Sequence, residues 1–461
     1  MVGTRDGALG RADEHFSSGA FQDDLARRVA IPTESQEDHS GAALHAYVAD
    51  ELEPRLRALG YSVAIEENPD PRGGPFLVAH RQESESAPTL LTYGHGDVVR
   101  GLAEDWREGL DPFRLTVEGD RWYGRGTADN KGQHSVIIAA LKAVLDERGA
   151  HGFNSRLLIE MSEEIGSPGL DDFVAKNPQR LAADVFIASD GPRMTPQKPA
   201  LKLGNRGSES FDLTVQLRSG SQHSGHWGGI LEDPAVILSH ALATIVSPRG
   251  QILIPEWRPR NIPQKVTEAL RSETVDAANP ELMIKDDWGE PGFSTAEKML
   301  AGTSFIVLAM ICGRPENPVN GVQPFARARC QLRFTVDADH QNFLPALRRH
   351  LDEKGFSAVS IEPTSRAEFP PWRTAPENPW VDWALNSMAQ TLGERPTLVP
   401  NSSGGLPSRT FGHHLGVPVL WVPHSYTGCL QHGPDEHALA PLLREGLAAM
   451  TGLFWDLGEP R

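Results

Sequence analysis

The chain has 461 residues, of which 39% are hydrophobic and 23% charged, and its formal net charge is −17. This length and composition predict a soluble globular protein of two domains. The acidic balance argues against nucleic acid and anionic membranes as partners, because basic faces bind both. Three widely spaced cysteines exclude a disulfide framework and a CxxC metal site. With no apolar run of about 18 residues and no secretory leader, we expect a cytoplasmic protein without a membrane span.

Strand and helix patterns alternate over the first two hundred residues. Amphipathic or apolar periodicity predicts helices at 23–29, 42–59 and 135–149. Short apolar runs predict strands at 61–65, 76–80, 89–93, 156–161 and 183–189. This alternation indicates an α/β domain, in which a mixed sheet carries helices on both faces.

The pattern changes near residue 205. Strand, helix, strand, strand, helix and strand are predicted at 210–217, 234–246, 304–311, 328–336, 341–354 and 358–363. A long insert at about 247–300 shows no regular pattern. This order is typical of an α+β open-faced sandwich. A proline-rich linker at 368–372 leads back to α/β character, so a first domain (1–203 and 371–461) is predicted to be interrupted by a second (204–370).

Polar side chains follow three predicted strands at the points where the strands end. His95 and Asp97 follow the strand at 89–93, the pair Glu163 and Glu164 follows 156–161, and Asp190 follows 183–189. Ligands of an α/β sheet bind at the carboxyl ends of its strands. We therefore expect these side chains to form one cluster.

The residue types of this cluster suit two divalent metal ions. Zinc binds histidine nitrogen and carboxylate oxygen, and manganese and cobalt suit the same ligands. Asp97 is placed to accept the second N–H of His95 and so to orient the ring. Adjacent glutamates point apart, so one can hold a metal while the other faces a water. Two metals about 3.5–4 Å apart need a bridging carboxylate, and Asp129, before a predicted helix, is the candidate.

Each of these signals has an ordinary structural reading when taken alone. Adjacent glutamates are usually a solvated acidic pair, and Asp190-Gly191 and Asp129-Asn130 are turn signals. Because Glu163, Glu164 and Asp190 directly follow predicted buried strands, we favour the metal site over these ordinary readings. A further histidine is available downstream, but the residues alone leave His424, His432 and His437 open.

The motifs GHGDVV, GRGTADNKG, MSEE, IASDG and QHGPDEH, in this order, resemble those of the dinuclear-zinc metallopeptidase family. That family includes carnosinase-type dipeptidases, glutamate carboxypeptidase, aminoacylase and acetylornithine deacetylase, and the resemblance covers nearly the whole chain. It implies that His95 and Asp190 hold one metal, Glu164 and His432 the other, and that Asp129 bridges them. It also implies that Glu163 is the general base, that Asp97 orients His95, and that a cis peptide follows Asp129.

The interrupting domain resembles the family's lid and dimerisation domain, closest to the carnosinase-type branch. The resemblance implies that His223, in SQHSGHWGG, reaches the active site of a neighbouring subunit of a homodimer, and that Arg333 grips a substrate carboxylate. Gly404 and Gly405 match its glycine-rich substrate loop. The alternatives are a loop histidine without a role and an arginine paired with an acidic neighbour.

The resemblance implies an enzyme that hydrolyses an amide bond in a small substrate with a free carboxylate, as a dipeptidase or carboxypeptidase does. Two divalent ions, Zn²⁺ or alternatively Mn²⁺ or Co²⁺, would activate the water. One alternative is an amidohydrolase that acts on N-acyl amino acids by the same chemistry. Another is an inactive, metal-bound binding protein, which the retention of Glu163 and all five expected ligands disfavours.

Overall fold

The computed structural model describes residues 3–37, 41–271, 273, 275, 283–365 and 369–460. The helices are α1 (Arg5–Ser17), α2 (Ala20–Val29), α3 (Gly41–Ala46), α4 (Glu53–Ala58), α5 (Lys131–Arg148), α6 (Leu170–Lys176), α7 (Pro178–Leu181), α8 (Ser224–Trp227), α9 (Pro234–Ile245), α10 (Gln264–Arg271), α11 (Thr295–Leu300), α12 (Phe343–Glu353), α13 (Pro379–Leu392), α14 (Ser408–Leu415) and α15 (Ala440–Leu457). The strands are β1 (Ser62–Glu66), β2 (Phe76–Arg81), β3 (Thr89–His95), β4 (Thr116–Glu118), β5 (Arg121–Tyr123), β6 (Asn154–Glu160), β7 (Val185–Ala188), β8 (Pro192–Arg193), β9 (Ala200–Lys202), β10 (Gly204–Asn205), β11 (Gly207–Gln216), β12 (Gln222–His223), β13 (Ser304–Ile311), β14 (Gly321–Val322), β15 (Phe325–Phe334), β16 (Val359–Ser365), β17 (Trp372–Arg373), β18 (Thr397–Val399), β19 (Val419–Trp421), β20 (Ser425–Tyr426) and β21 (His437–Leu439).

The chain divides into two compact units. The first comprises Met1–Gly204, Arg373–Val399 and Leu406–Arg461, and the second comprises Asn205–Trp372 and Pro400–Gly405. An eight-stranded sheet in the order β1-β2-β6-β3-β7-β19-β9-β18 forms the centre of the first unit. The pairs β6·β3, β3·β7, β7·β19 and β9·β18 are parallel, whereas β1·β2, β2·β6 and β9·β19 are antiparallel. The predicted mixed α/β fold is confirmed.

Helix α5 is buried along most of its length beside this sheet. It begins at Lys131, four residues before the predicted helix, because the side chains of its first turn are buried and hydrogen-bonded: the Lys131 ammonium donates to the Ile31 carbonyl at 2.7 Å. Gly149 ends it with a φ of 79°, as the predicted C-cap requires. The helix thereby presents its N-terminal end to the loop that carries Asp129.

The predicted continuous helix at 42–59 is wrong in detail. The structure has α3, then a π-helical stretch at Tyr47–Leu52, then α4. The Glu53 amide donates to the Val48 carbonyl, five residues back, and Pro54 has no amide hydrogen with which to continue the α-helical pattern. The wider turn therefore lies directly before the proline.

The second unit is a four-stranded antiparallel sheet in the order β13-β15-β11-β16. Its elements follow the predicted order, with β11, α9, β13, β15, α12 and β16 along the chain. The expectation of an irregular insert is wrong, since α10 and α11 lie within it. Trp257 of the insert is fully buried in the core, where its indole N–H donates to the Phe343 carbonyl at 3.0 Å. Residue 368 of the predicted linker lies outside the described residues.

None of the helices in the described part of the chain combines the length and the apolar character that crossing a bilayer requires.

Candidate metal centre

Three neighbouring parallel strands of the first unit deliver polar side chains to one edge of the sheet. β3 lies between β6 and β7 and runs parallel to both. His95 is the last residue of β3, Glu163 and Glu164 start the 3₁₀ turn after β6, and Asp190 follows β7 by two residues. All four side chains therefore reach the same edge, as the positions of the strand ends predict.

Two further donors come from loops. Asp129 precedes α5, and the Asp129–Asn130 peptide bond is cis. His432 lies in the loop before β21 and has a φ of 63°. The other two candidate histidines have different partners. The His437 ring nitrogen Nδ1 donates to the Asp435 carbonyl at 3.0 Å, and the buried His424 ring contacts the Ser189 hydroxyl at 2.9 Å.

The donors form three groups, in each of which the ligand atoms lie within 4.8 Å of one another: His95, Asp129 and Asp190; His95, Glu163 and Glu164; and Asp129, Glu164 and His432. Asp129 Oδ1 lies 3.2 Å from His95 Nε2, and Asp129 Oδ2 lies 3.3 Å from His432 Nε2. Each oxygen of one carboxylate thus faces a different imidazole. This is the arrangement that a carboxylate bridging two cations needs.

The carboxylates fit a cation chemically. Burial, together with the charge of Asp129, raises the pKa of Glu164 to about 7 and that of Asp190 to about 6. Among the described residues, the buried Glu164 Oε1 has no hydrogen-bond partner. Divalent cations would relieve the repulsion between these groups and satisfy the free oxygen.

The two imidazoles respond to the same charges. Burial alone would lower the pKa of His95, but its contacts with Asp129 and Asp97 raise that pKa well above the ordinary value. Hydrogen bonds to Asp129 and Glu164 raise the pKa of His432 to about 11. Both rings therefore lie in a field that favours positive charge.

Asp97 connects His95 to the glutamate turn. His95 Nδ1 lies 3.1 Å from the backbone oxygen of Asp97 and 3.4 Å from its Oδ1. The same carboxylate accepts the backbone N–H groups of Glu163 and Glu164, each at 3.0 Å. The bonds to the glutamate turn were not foreseen from the sequence, because they join side chain to main chain across distant segments.

A buried relay of hydrogen bonds through Asn130, His134 and Tyr47 was also not predicted from the sequence. The Asn130 amide donates to the Ser189 carbonyl at 2.9 Å, so its Oδ1 accepts from His134 Nδ1 at 3.2 Å. His134 Nε2 then accepts the Tyr47 hydroxyl at 2.7 Å. Burial lowers the pKa of His134 well below its ordinary value, which keeps the ring neutral. The relay holds the residues that follow Asp129 and precede Asp190.

Glu436 is another residue whose role the sequence did not indicate, although it lies within the QHGPDEH motif. Its Oε1 accepts the backbone N–H groups of Gly126, Ala128 and Asp129 at 3.1, 3.0 and 3.1 Å. Its Oε2 accepts Arg125 Nη1 at 2.7 Å, and both side chains are 1% exposed. No periodicity marks such a residue, because its partners are main-chain groups some 300 residues away.

The four predicted substrate-binding residues belong to the second unit. His223 is exposed on β12, and its Nδ1 accepts the Gly225 N–H at 3.1 Å. Arg333 lies on β15, where its Nε donates to Gln331 Oε1 at 3.1 Å. Gly404 and Gly405 end the segment Pro400–Gly405.

Two curated proteins resemble the chain over most of its length. The cysteinylglycine-S-conjugate dipeptidase of Corynebacterium striatum is 25% identical over 374 residues, 79% of each chain. The human Beta-Ala-His dipeptidase is 28% identical over 459 residues, which cover 95% of this chain and 86% of that protein.

The fold has a solved counterpart, and the sequence matches a family model. The crystal structure of human carnosine dipeptidase 1 superposes with a TM-score of 0.78 at 22% identity, over 98% of each chain. The model of peptidase family M20/M25/M40 matches residues 91–456. The chain therefore belongs to peptidase family M20/M25/M40 and is a metal-dependent hydrolase.

Proposed function

We propose that the protein is a dipeptidase or carboxypeptidase that cleaves short peptides with a free carboxylate, using two Zn²⁺ ions. The observation that carries the proposal is the Asp129 carboxylate, whose two oxygens face His95 and His432 at 3.2 and 3.3 Å. The dipeptidase activities in the names of the human and Corynebacterium relatives support this substrate class. Mn²⁺ and Co²⁺ suit the same donors.

In this proposal His95 and Asp190 would hold the first metal, Glu164 and His432 would hold the second, and Asp129 would be shared by both. Two bound divalent cations would lower the pKa of a water from about 16 to about 7. Glu163 would take a proton from the attacking water and would give a proton to the leaving amine as the amide C–N bond breaks. Burial raises the pKa of Glu163 well above its ordinary value, which suits a group that must first accept and then release a proton.

We assign substrate binding to the second unit. Arg333 would hold the free carboxylate by a bidentate contact, and Gly404 and Gly405 would shape the substrate loop. His223 would donate to the developing oxyanion in the active site of a partner subunit. Because the Gly225 N–H bonds to His223 Nδ1, the neutral ring carries its proton on Nε2 and can donate from there. We also propose that the lid and dimerisation domain comprises residues 204–370.

The dimer that this arrangement needs has a candidate surface in β13. This strand lies at one edge of the sheet of the second unit. Five of its apolar residues are 40–51% exposed: Ile306, Val307, Leu308, Met310 and Ile311. A long apolar edge strand with free backbone groups favours pairing with another chain, and a second copy supplies the same edge. We therefore propose a homodimer formed through β13.

The proposed setting is the cytoplasm. Cys312, Cys330 and Cys429 are all free thiols, and two of them are buried. Free thiols suit a reducing compartment. The formal net charge of −17 argues against nucleic acid and anionic membranes as partners, so neither is proposed.

The test compares the hydrolysis of several substrate classes by enzyme of known metal content. The purified protein is stripped with a chelator, reconstituted with two equivalents of Zn²⁺, Mn²⁺ or Co²⁺, and assayed on a panel of dipeptides, tripeptides and N-acyl amino acids. Hydrolysis of dipeptides that disappears in the stripped enzyme is the expected result. Hydrolysis of N-acyl amino acids but of no peptide would show that the protein is an amidohydrolase and not a peptidase.

A further inference from the structure

We propose that Glu436 is a positioning residue that sets the spacing between Asp129 and His432 and thereby the affinity of the second metal position. The second metal position here means the site of Asp129, Glu164 and His432. The inference rests on the ligand set of the proposed function. Glu436 follows His432 by four residues in the chain, and its carboxylate is bonded to the loop of Asp129.

The contacts of Glu436 converge on the approach to Asp129. Three N–H groups of the loop after β5, including that of Asp129 itself, point to one buried carboxylate oxygen. The Gly124 N–H donates to the Glu436 backbone oxygen at 3.0 Å and fixes the start of the same loop. The loop is neither helix nor strand at these positions. The Glu436 carboxylate therefore accepts the N–H groups that regular secondary structure would otherwise bond.

The donors of the second position depend on this contact more than those of the first. His95 ends β3 and Asp190 follows β7, so the sheet itself locates both. His432 lies in a loop with its side chain 56% exposed, and the Glu436 contact joins that loop to Asp129. Asp129 belongs to both positions, but the second position depends on the contact through two of its three donors, Asp129 and His432, and the first through Asp129 alone. Loss of the contact therefore loosens the second position more than the first.

Glu436→Gln is the decisive variant. The amide keeps the shape of the carboxylate, but its NH₂ must face either the Arg125 guanidinium or the loop N–H groups, donor against donor. Calorimetric titration of the chelated protein with Zn²⁺ should show a second equivalent bound about 10–100-fold more weakly, as changes behind metal ligands typically cause. The first equivalent should change by less than about threefold.

Two further variants complete the comparison. Asp456→Asn is the matched control, because Asp456 is a partly buried carboxylate bonded to Arg5 at 2.8 Å and Ser387 at 2.6 Å, neither of which is a candidate metal donor. It should lower the melting temperature and leave both Zn²⁺ affinities unchanged. Glu436→Asp keeps a charge for Arg125 but retracts from the loop; it should weaken the second equivalent less, and it decides the question if the glutamine variant does not fold.

Unchanged affinity for both equivalents, or equal weakening of both, overturns the inference. His432→Ala separates this failure from a failure of the proposed function. If His432→Ala loses the second equivalent and Glu436→Gln does not, only the role of Glu436 is wrong. If His432→Ala binds both equivalents as the parent does, the ligand set itself is wrong.

Discussion

The metal centre brings carboxylates closer together than their charges favour. Asp129 stands between two imidazoles, and burial with neighbouring charge raises the pKa values of Glu164 and Asp190 to about 7 and 6. Such a cluster costs free energy unless cations bind to it. We therefore expect the metal-free protein to gain stability when Zn²⁺ binds.

Glu163→Gln should separate metal binding from turnover. Glutamine cannot take the proton of the attacking water, so kcat should fall by about 10²–10⁴-fold. Because Glu163 is not among the proposed ligands, the variant should still bind two equivalents of Zn²⁺ by elemental analysis. Activity near that of the parent would show that another group is the base.

Tyr47→Phe tests the relay behind the site. It removes the hydroxyl that His134 Nε2 accepts, and a buried unsatisfied nitrogen costs about 1–3 kcal/mol in the free energy of unfolding. Tyr61→Phe is the matched control, since the buried Tyr61 hydroxyl contacts Ser155 at 2.7 Å, outside the metal-donor groups. Urea unfolding should show similar losses for both variants, while kcat/KM should fall only in Tyr47→Phe. Equal kcat/KM in both would remove the relay from catalysis.

At the scale of elements, the sequence predicts the polar residues at the strand ends but not the side chains that hold their loops in place. His95, the glutamate pair and Asp190 follow apolar runs, and parallel strands bring their ends together. The contacts of Asp97 and Glu436 with main-chain amides leave no pattern in the sequence, and His432 was selected over His437 by resemblance alone. Helix α1 was missed because only Ala8 and Ala12 are buried in it, so its apolar face is too narrow to detect.

The start of α5 gives an element-scale prediction. A Cβ at Gly132 would overlap the Thr127 carbonyl oxygen, in the loop that leads to Asp129. Gly132→Ala should therefore displace that loop, lower the free energy of unfolding by about 1–3 kcal/mol and reduce kcat/KM.

Gly10→Ala is the control for the same substitution in a helix. A Cβ at Gly10, in α1, meets open space. Alanine should therefore stabilise the protein by about 0.5–1 kcal/mol without changing kcat/KM. Thermal unfolding and steady-state kinetics measure both variants, and a neutral Gly132→Ala would contradict the close packing of α5 on the loop.

On the scale of the whole molecule, buried histidines outside the site link stability to pH. Burial lowers the pKa of His151 from 6.5 to about 4, and its ring stacks on Phe153 at 5.2 Å between centroids. The unfolded chain takes up a proton on this residue near pH 6.5, whereas the folded chain does so only near pH 4. The contribution of His151 is therefore present above pH 6.5 and lost as the pH falls toward 4.

His151→Gln should reduce this pH dependence. Between pH 7.5 and 5.0 the parent should lose about 2 kcal/mol more unfolding free energy than the variant, measured by urea unfolding of chelated protein. Parallel pH profiles for the two proteins would show that His151 already accepts a proton in the fold.

Leu308→Lys tests the proposed assembly. Leu308 is 51% exposed on β13, and a charge there should oppose pairing of two edges. Sedimentation should show the parent as a dimer and the variant as a monomer. Val117→Lys, at a residue 42% exposed on β4 of the first unit, should leave the dimer intact. A monomeric parent would refute the assembly outright.

The first unit is assembled from three separate stretches of the chain, and its metal donors span from His95 to His432. During translation at about 5–20 residues per second, His432 leaves the ribosome tens of seconds after His95. A nascent polypeptide thus carries Glu163, the proposed general base, long before it carries His432, the last of the proposed ligands. With His432 as a ligand, as we propose, hydrolytic competence arrives only once synthesis is nearly finished, and a chain that stops before residue 432 should not work as an enzyme.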